Sequence, residues 1–239
     1  TLGGGNHFIE IQKGSDERLW VMVHCGSRNF GLKIANHYHG RAKALCDKRS
    51  DVPARDLSFL PLGSGKEGDE YLEAMNFAIA FAKANRDQIM KRILEVFDCE
   101  SSGYINIHHN YASCEKHFGT QVIVHRKGAT KAAKGVKGII PGSQGSRSYI
   151  VEGLGNPESF NSCSHGAGRV MGRKQAMRSL SLREEIEKMD KKGILHGMKT
   201  EKDLDEAESA YRSIDQVMQN QSDLVKVLVK LTPLAVIKG

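Results

Sequence analysis

The chain has 239 residues, 39% of them hydrophobic and 26% charged, so it can bury a sizeable core and is too balanced in composition to be a disordered chain. No apolar run approaches the roughly 20 residues of a membrane-spanning helix, and five scattered cysteines without a Cys-x-x-Cys pair argue against a disulfide framework or zinc knuckle and for a reducing, cytoplasmic setting. The net charge of +7 and isoelectric point of about 9.1 suit a polyanionic partner.

The chain opens on Thr-Leu-Gly-Gly-Gly, an unnatural start that suggests a missing N-terminal part. Residues 6–12 alternate weakly and stop at a Lys13-Gly14-Ser15 turn, and residues 19–23 (Leu-Trp-Val-Met-Val) form a run of buried-strand length. Read as a hairpin, the two strands bring His7 beside His24. Residues 32–49 read as a helix in which His37 and His39, two apart, point in different directions. Residues 51–65 hold Pro53, Pro61, Gly63 and Gly65 and read as a loop. The longest helix is expected over 66–97, with a helical period at Tyr71, Met75, Ala78, Ile79, Ala82, Ile89, Ile93 and Val96, interrupted by Asn76, Asn85 and Arg86.

Residues 104–107, 121–124, 138–140 and 148–152 read as short strands. The first three run into His108-His109-Asn110-Tyr111, His125-Arg126-Lys127-Gly128-Ala129 and Pro141-Gly142-Ser143-Gln144-Gly145-Ser146. A sheet that gathers its polar loops at one edge is a common way to build a site. Next comes Ser162-Cys163-Ser164-His165-Gly166-Ala167-Gly168-Arg169, followed by an expected helix over 170–180. Its glycines would let a phosphate approach the backbone, and a helix N-terminus would supply N–H groups. A capping box at 181–184 opens a helix ending near Lys192-Gly193, a further helix is expected over 203–220, and residues 224–231 and 234–239 read as strand. The fold class is α+β: stacked, mostly antiparallel sheets flanked by helices. The chain reads as one catalytic domain over 1–239 with a helical segment at 32–97, the alternative being that this segment is an insertion.

The chemistry lies in the clusters. His7, His24 and His109 sit at strand ends beside glycine or asparagine, and three imidazoles can hold Zn, Mn, Fe, Ni or Cu. His165 in its glycine-rich loop is either a nucleophile toward phosphorus or a structural histidine. Arg28, Arg126, Lys127, Arg147, Arg169 and Arg173 flank these loops, where arginine suits bidentate phosphate recognition. There is no Walker A loop and no dinucleotide fingerprint. On this basis the clusters point to a metal or catalytic site that handles phosphate groups.

The motifs Gly5-Asn6-His7-Phe8-Ile9-Glu10, His24-x-Gly-Ser-Arg28, His109-Asn110-Tyr111, His125-Arg-Lys-Gly-Ala129, Pro141-Gly-Ser-x-Gly145, His165-Gly-Ala-Gly-Arg169 and Val236-Ile-Lys-Gly239 together resemble the RtcB family of RNA-splicing ligases, in family order from end to end. The resemblance implies a GTP- and Mn2+-dependent enzyme, in tRNA splicing or RNA repair, that joins RNA 3′-phosphate or 2′,3′-cyclic phosphate ends to 5′-hydroxyl ends, with an archease-type activator as a candidate partner. It implies that His165 carries GMP through a phosphoramidate and that His7, His24 and His109 are manganese ligands. Guanylate contacts carry over to Asn6, His7, Phe8, Ile9, Glu10, His109, Asn110, Pro141, Gly142, Ser143, Gln144, Ser148, His165, Gly166, Ala167, Gly168 and Lys238, with Tyr211 near the guanine. Arg28, Arg126, Lys127 and Arg169 are the candidates for the RNA phosphates. The competing readings of the same residues are a metal-dependent phosphoesterase acting on RNA ends and a non-catalytic RNA-binding module.

Three features depart from the family pattern. The family's Asp-x-x-Cys-type ligand motif, upstream of Gly5-Asn6-His7, is not in this sequence. Gln144 stands where methionine is usual, and Ala-Tyr-Arg stands at 210–212 in place of Ala-Tyr-Lys. These substitutions suggest a divergent branch, a repair ligase in preference to a tRNA-splicing one.

Overall fold

A computed structural model describes residues 1–48, 57–63 and 66–239. The chain falls into two compact units, one of Thr1 with residues 25–98 and one of residues 2–24 with 99–239.

The first unit is helical and nearly coincides with the segment 32–97 singled out above. It holds α1 (Asn29–Cys46) and α2 (Lys66–Phe97). Of the expected loop over 51–65, residues 51–56 and 64–65 lie outside the described residues, as does the expected helix end at Arg49. Ala42, Cys46, Met75, Ala78 and Ala82 are buried, and Phe30 packs against Phe77 and Phe81 with ring centroids 5.6 and 5.7 Å away. Asn85 and Arg86, which break the apolar period of α2, have a reason to be there. Asn85 Nδ2 donates to the carbonyls of Thr1 and Gly26 at 3.1 and 3.2 Å, and Arg86 donates to that of Cys25 at 2.9 Å.

The second unit is built on a six-stranded sheet: β1 (Phe8–Gly14), β2 (Leu19–His24), β6 (Lys137–Ile140), β7 (Ser148–Gly153), β9 (Leu195–His196) and β10 (Val225–Lys238). The order is β2-β1-β10-β7-β6, antiparallel throughout, with the short β9 parallel to β10. The chain is therefore α+β with mostly antiparallel sheet, as its patterning suggests. The expected hairpin at 6–23 forms, and the C-terminal strand runs through the middle of the sheet. Pro233 fits in this central strand where the register with β1 slips: Ile11 faces Ala235, but Gln12 faces Pro233.

Both faces of β7 are covered. Tyr149 and Val151 turn into one core with Ile140, Cys163, Ala167, Ile214 and Val225, while Ile150 turns into another with Met22 and Leu231. Fully burying each such side chain contributes about 1.5–3 kcal/mol.

Two smaller sheets are separate from this one. β3 (Asn110–His117) pairs with β4 (Thr120–Lys127), and β5 (Ala129–Lys131) pairs with β8 (Ser162–Ser164). Three expectations are corrected. Residues 104–107 are not a strand; their apolar character is used by Ile105, which packs against the Met22–Ile150–Leu231 core. The helix expected over 170–180 shrinks to α3 (Arg173–Ser179), because the N–H groups of Val170 and Met171 both go to the carbonyl of Ala210 and Arg169 forms a β-bridge with Tyr211. The helix expected over 203–220 breaks into 3-10 turns at Glu201–Glu206 and Glu208–Ala210, then α5 (Ile214–Gln219). The same bridge pulls Tyr211 out of helical conformation. The helix opened by Ser181 is α4 (Leu182–Lys191), with Ser181 accepting from the Glu184 amide at 3.4 Å.

Candidate active site

The site begins as one rank of residues across three strands. The sheet register sets Lys238 of β10 opposite Phe8 of β1, and Phe8 opposite His24 of β2. Side chains of directly opposed residues share a face. Lys238 Nζ lies 5.9 Å from the Phe8 ring centroid, and the Phe8 and His24 rings stack at 5.4 Å. From His24 a row of imidazoles extends: His7 at 6.0 Å, His109 at 5.1 Å, and then His165, stacked on His109 at 5.0 Å and 19°. Asn6 Nδ2 lies 3.5 Å from His24 Nε2. Four histidines separated by up to 158 positions in sequence thus form one continuous group.

His165 follows directly on β8. Its Nδ1 lies 2.6 Å from the carbonyl oxygen of Gly128, the residue between β4 and β5. A carbonyl only accepts, so Nδ1 carries the proton and Nε2 keeps its lone pair. Burial lowers the basicity of the ring, the Gly128 carbonyl opposes this, and Lys127 adds to the lowering. Gly128 has φ +70°, and its amide is held by the carbonyl of His109 at 3.0 Å and by Asn110 Oδ1 at 3.3 Å. His24 is pushed down to about 3, first by burial and then by His109, His7, His165 and Lys238. The helix N-terminus expected just after His165 is not there, since α3 begins at Arg173.

The glycine-rich loops are nonetheless held together. The Ala167 amide donates to the Pro141 carbonyl at 3.2 Å, and a Cβ on Gly166 would stand 3.1 Å from that same oxygen. Within the 141–148 turn, the Gly142 amide donates to Ser148 Oγ at 3.2 Å and the Ser143 amide to Ser146 Oγ at 2.7 Å, while Gln144 Nε2 reaches the Glu206 carbonyl at 3.1 Å. Glu10, two residues along from Phe8 on the same face of β1, is buried, and burial pushes its carboxyl well above the usual range, against the pull of Lys238 and Gln12. Burial also pushes Lys238 down, against Glu206 and Asp205. Gln12 Nε2 lies 2.5 Å from Glu10 Oε2, and Gln12 Oε1 is the one buried side-chain polar atom without a partner among the described residues. Ile9 alternates to the other face of β1, away from Phe8 and Glu10.

The arginines expected at RNA phosphates are otherwise occupied in two cases. Arg126 is 2% exposed. It donates to Glu115 at 2.6 and 3.1 Å, to Ser162 Oγ at 3.0 Å, to the Phe160 carbonyl at 3.0 Å, and to Tyr111 and Ser113 at 3.3 Å. With all its donors used and no access to solvent, it is corrected from a surface RNA contact to an interior ion pair. Arg169 is likewise engaged, with the carbonyls of Met171 and Asp205, with Tyr211 Oη at 3.0 Å and with Glu206 at 3.3 Å. Lys127 is exposed beside Gly128. Arg28, in the helical unit, is half-buried and has φ +58° ahead of α1.

Glu206, missed in the sequence, joins Arg169, Arg173 (2.9 Å) and the Tyr211 hydroxyl. Burial and Glu206 raise the Tyr211 hydroxyl far above its usual range. Glu115 was missed too, yet it left a signal. Residues 101–151 contain seven lysines and arginines against this single acid, which accounts for six of the seven net charges of the chain.

As they stand, no three His, Cys, Asp or Glu side chains among the described residues converge on a metal-holding geometry. The donor chemistry of His7, His24 and His109 still suits a borderline divalent ion, since adjacent rings such as His24, held neutral, offer lone pairs and not charge. No helix among the described residues is long and apolar enough to cross a membrane.

A family model described as tRNA-splicing ligase RtcB matches residues 1–239. The RNA-splicing ligase RtcB of Escherichia coli K12 is 41% identical over 254 residues, covering 100% of this chain and 60% of that protein. The RNA-splicing ligase RtcB of Mycobacterium tuberculosis is 33% identical, with 100% and 64% covered, and the tRNA-splicing ligase RtcB of Nanoarchaeum equitans 34%, with 100% and 59% covered. The chain therefore spans about 60% of the length of the relatives it matches.

Proposed function

The chain belongs to the RtcB ligase family, and from that premise we propose that it carries the nucleotidyl-transfer centre of an RNA ligase in which His165 is the nucleophile. The observation that carries this reading is the hydrogen bond from His165 Nδ1 to the Gly128 carbonyl. It leaves Nε2 with its lone pair, in a ring that burial keeps neutral. A neutral, oriented imidazole is what attack on phosphorus requires.

In the proposed reaction GTP is consumed as a substrate. The His165 Nε2–P bond forms as the bond from the α-phosphorus to pyrophosphate breaks, and the Gly128 carbonyl steadies the positive charge that grows on the ring. GMP then passes to an RNA 3′-phosphate, and a 5′-hydroxyl displaces it. Phe8, Glu10 and Lys238, which share one face of the β1–β10 pair, would take part in holding the guanylate. Asn6, His7, His109, Asn110 and the loops at Pro141, Gly142, Ser143, Gln144, Ser148, Gly166, Ala167 and Gly168 would surround the phosphates and ribose. His7, His24 and His109 would hold a manganese ion, which when bound neutralises phosphate charge and polarises phosphorus.

For the RNA, the β3–β4 register favours the outer face of the hairpin over Arg126. Lys127, His125, Gln121 and Lys116 alternate to that face and are exposed, and Lys127 adjoins Gly128.

Incubation of the full-length protein with GTP and manganese tests the reading by mass spectrometry. A GMP adduct that survives alkali, is lost in mild acid and is absent from His165→Ala is expected of a phosphoramidate. An adduct that persists in His165→Ala, or that maps to Lys238 or a serine, overturns it.

A further inference from the structure

Three strands meet at the His165–Gly128 hydrogen bond. β8 delivers His165, while β4 and β5 flank Gly128. The ladder between β5 and β8 has only three residue pairs, Ala129↔Ser164, Thr130↔Cys163 and Lys131↔Ser162. β4 does not pair with β8 at all. What joins them is Arg126, two residues before Gly128. Its Nε donates to Ser162 Oγ, three residues before His165, and one Nη donates to the Phe160 carbonyl, just ahead of β8. The other side of the guanidinium is held by both oxygens of Glu115 on β3. The fork is thus fixed at one end by a bidentate pair and at the other by two bonds to the segment that carries His165.

We propose that Arg126 is a positioning residue for His165: it ties the strand that presents the Gly128 carbonyl to the strand that presents the imidazole, and so fixes which ring nitrogen faces the reacting phosphorus. The proposal rests on the nucleophile reading above. A buried ion pair is weak evidence for stability, because a packed apolar set of the same volume often does as well. A planar fork that reaches a carboxylate and two separate acceptors on another strand fixes geometry, which an apolar side chain cannot do. Lysine at this position keeps the charge but cannot span both sides.

Arg126→Lys and Glu115→Gln in the full-length protein test this with three readouts: folded fraction by near-ultraviolet circular dichroism, single-turnover adduct formation with GTP, and the tautomer of His165 by nitrogen NMR at fixed pH without GTP. The expected result is a folded protein whose dissociation constant for GTP stays within about twofold, whose adduct forms at least tenfold more slowly, and whose His165 changes from a single Nδ1–H tautomer to a mixture. Arg126→Met should lie below Arg126→Lys in rate. If Arg126→Lys keeps both the single tautomer and the wild-type rate, or loses rate only in proportion to unfolded protein, the positioning role is overturned while the nucleophile reading stands. If the wild-type protein forms no adduct at His165, both fall.

Discussion

The two interiors of the sheet-containing unit are built from opposite materials. Around β7 the buried face is Ile140, Tyr149, Val151 and Val225, apolar groups whose fit is one of volume. On the inward face of the β3–β4 hairpin lie the buried His117 and Arg126 and the half-buried Glu115, polar groups whose fit is one of pairing, with His117 Nε2 3.1 Å from Glu115. An apolar core loses stability in steps as methylenes are removed. A polar core does not degrade in steps: removal of one partner strands a charge. The polar interior also holds, through Arg126, Ser162 and the Phe160 carbonyl of the segment that leads to His165, where direction matters more than volume.

Glu115→Ala is the sharpest way to break this contrast. It leaves Arg126 buried with no counter-charge, and the expected loss is about 3–5 kcal/mol of unfolding free energy. Urea denaturation would measure it. A loss below about 1 kcal/mol would mean that the hairpin interior admits water and that the pairing is not what holds it.

Acid should expose the same difference. The Arg126 guanidinium, with help from Ser113 and His117, holds the Glu115 carboxyl well below its usual range despite burial. Because its folded pKa lies below the unfolded value of about 4.3, the stabilisation is fully present above that pH and is lost as pH falls toward the folded pKa. Stability measured from pH 7 to pH 3 should fall for the wild type and fall less for Glu115→Gln. Parallel curves would rule out Glu115 as a source of acid sensitivity. Ile140→Val, in the apolar interior, should cost only about 0.5–1.5 kcal/mol, with no pH dependence of its own.

The same contrast explains what can be read from the sequence. Residues 19–23 and 148–152 announce themselves because apolar burial leaves a periodic trace, and α2 does so over all of Lys66–Phe97. β3 leaves none, because its inward residues Tyr111, Ser113, Glu115 and His117 look like those of a solvated loop. The helix expected after His165 fails for a related reason. Val170 and Gly172 carry only modest helix penalties, but the Val170 and Met171 amides and the Arg169 side chain are committed to a segment some 40 residues away, around Ala210 and Tyr211. The histidines are legible one by one, from their strand-end setting. Their order in the row, and the Gly128 carbonyl that selects the tautomer of His165, come from strand pairings that composition does not encode. Arg126 reads as a phosphate ligand because an arginine in a basic, glycine-containing stretch looks the same whether its partner is an RNA or a glutamate from the opposite strand.

The outer face of the same hairpin gives the smallest effect on the fold and separates binding from stability. Lys127 and Lys116 are exposed and lie on the face opposite Arg126 by strict alternation, so neither supports the polar interior. Lys127→Ala and Lys116→Ala should each change unfolding free energy by no more than about 0.5 kcal/mol, as is usual for solvated positions. If the strand of RNA runs along this face, each substitution should weaken binding and flatten the dependence of log affinity on log salt by about 0.7 for each phosphate that is no longer neutralised. The measurement is a salt titration of binding to a single-stranded RNA with a 3′-phosphate, with Glu152→Ala, on β7 of the six-stranded sheet, as the control. An unchanged slope in both lysine variants would remove the hairpin from the RNA path. The interior reading of Arg126 would be untouched, since burial and pairing fix it independently of any ligand.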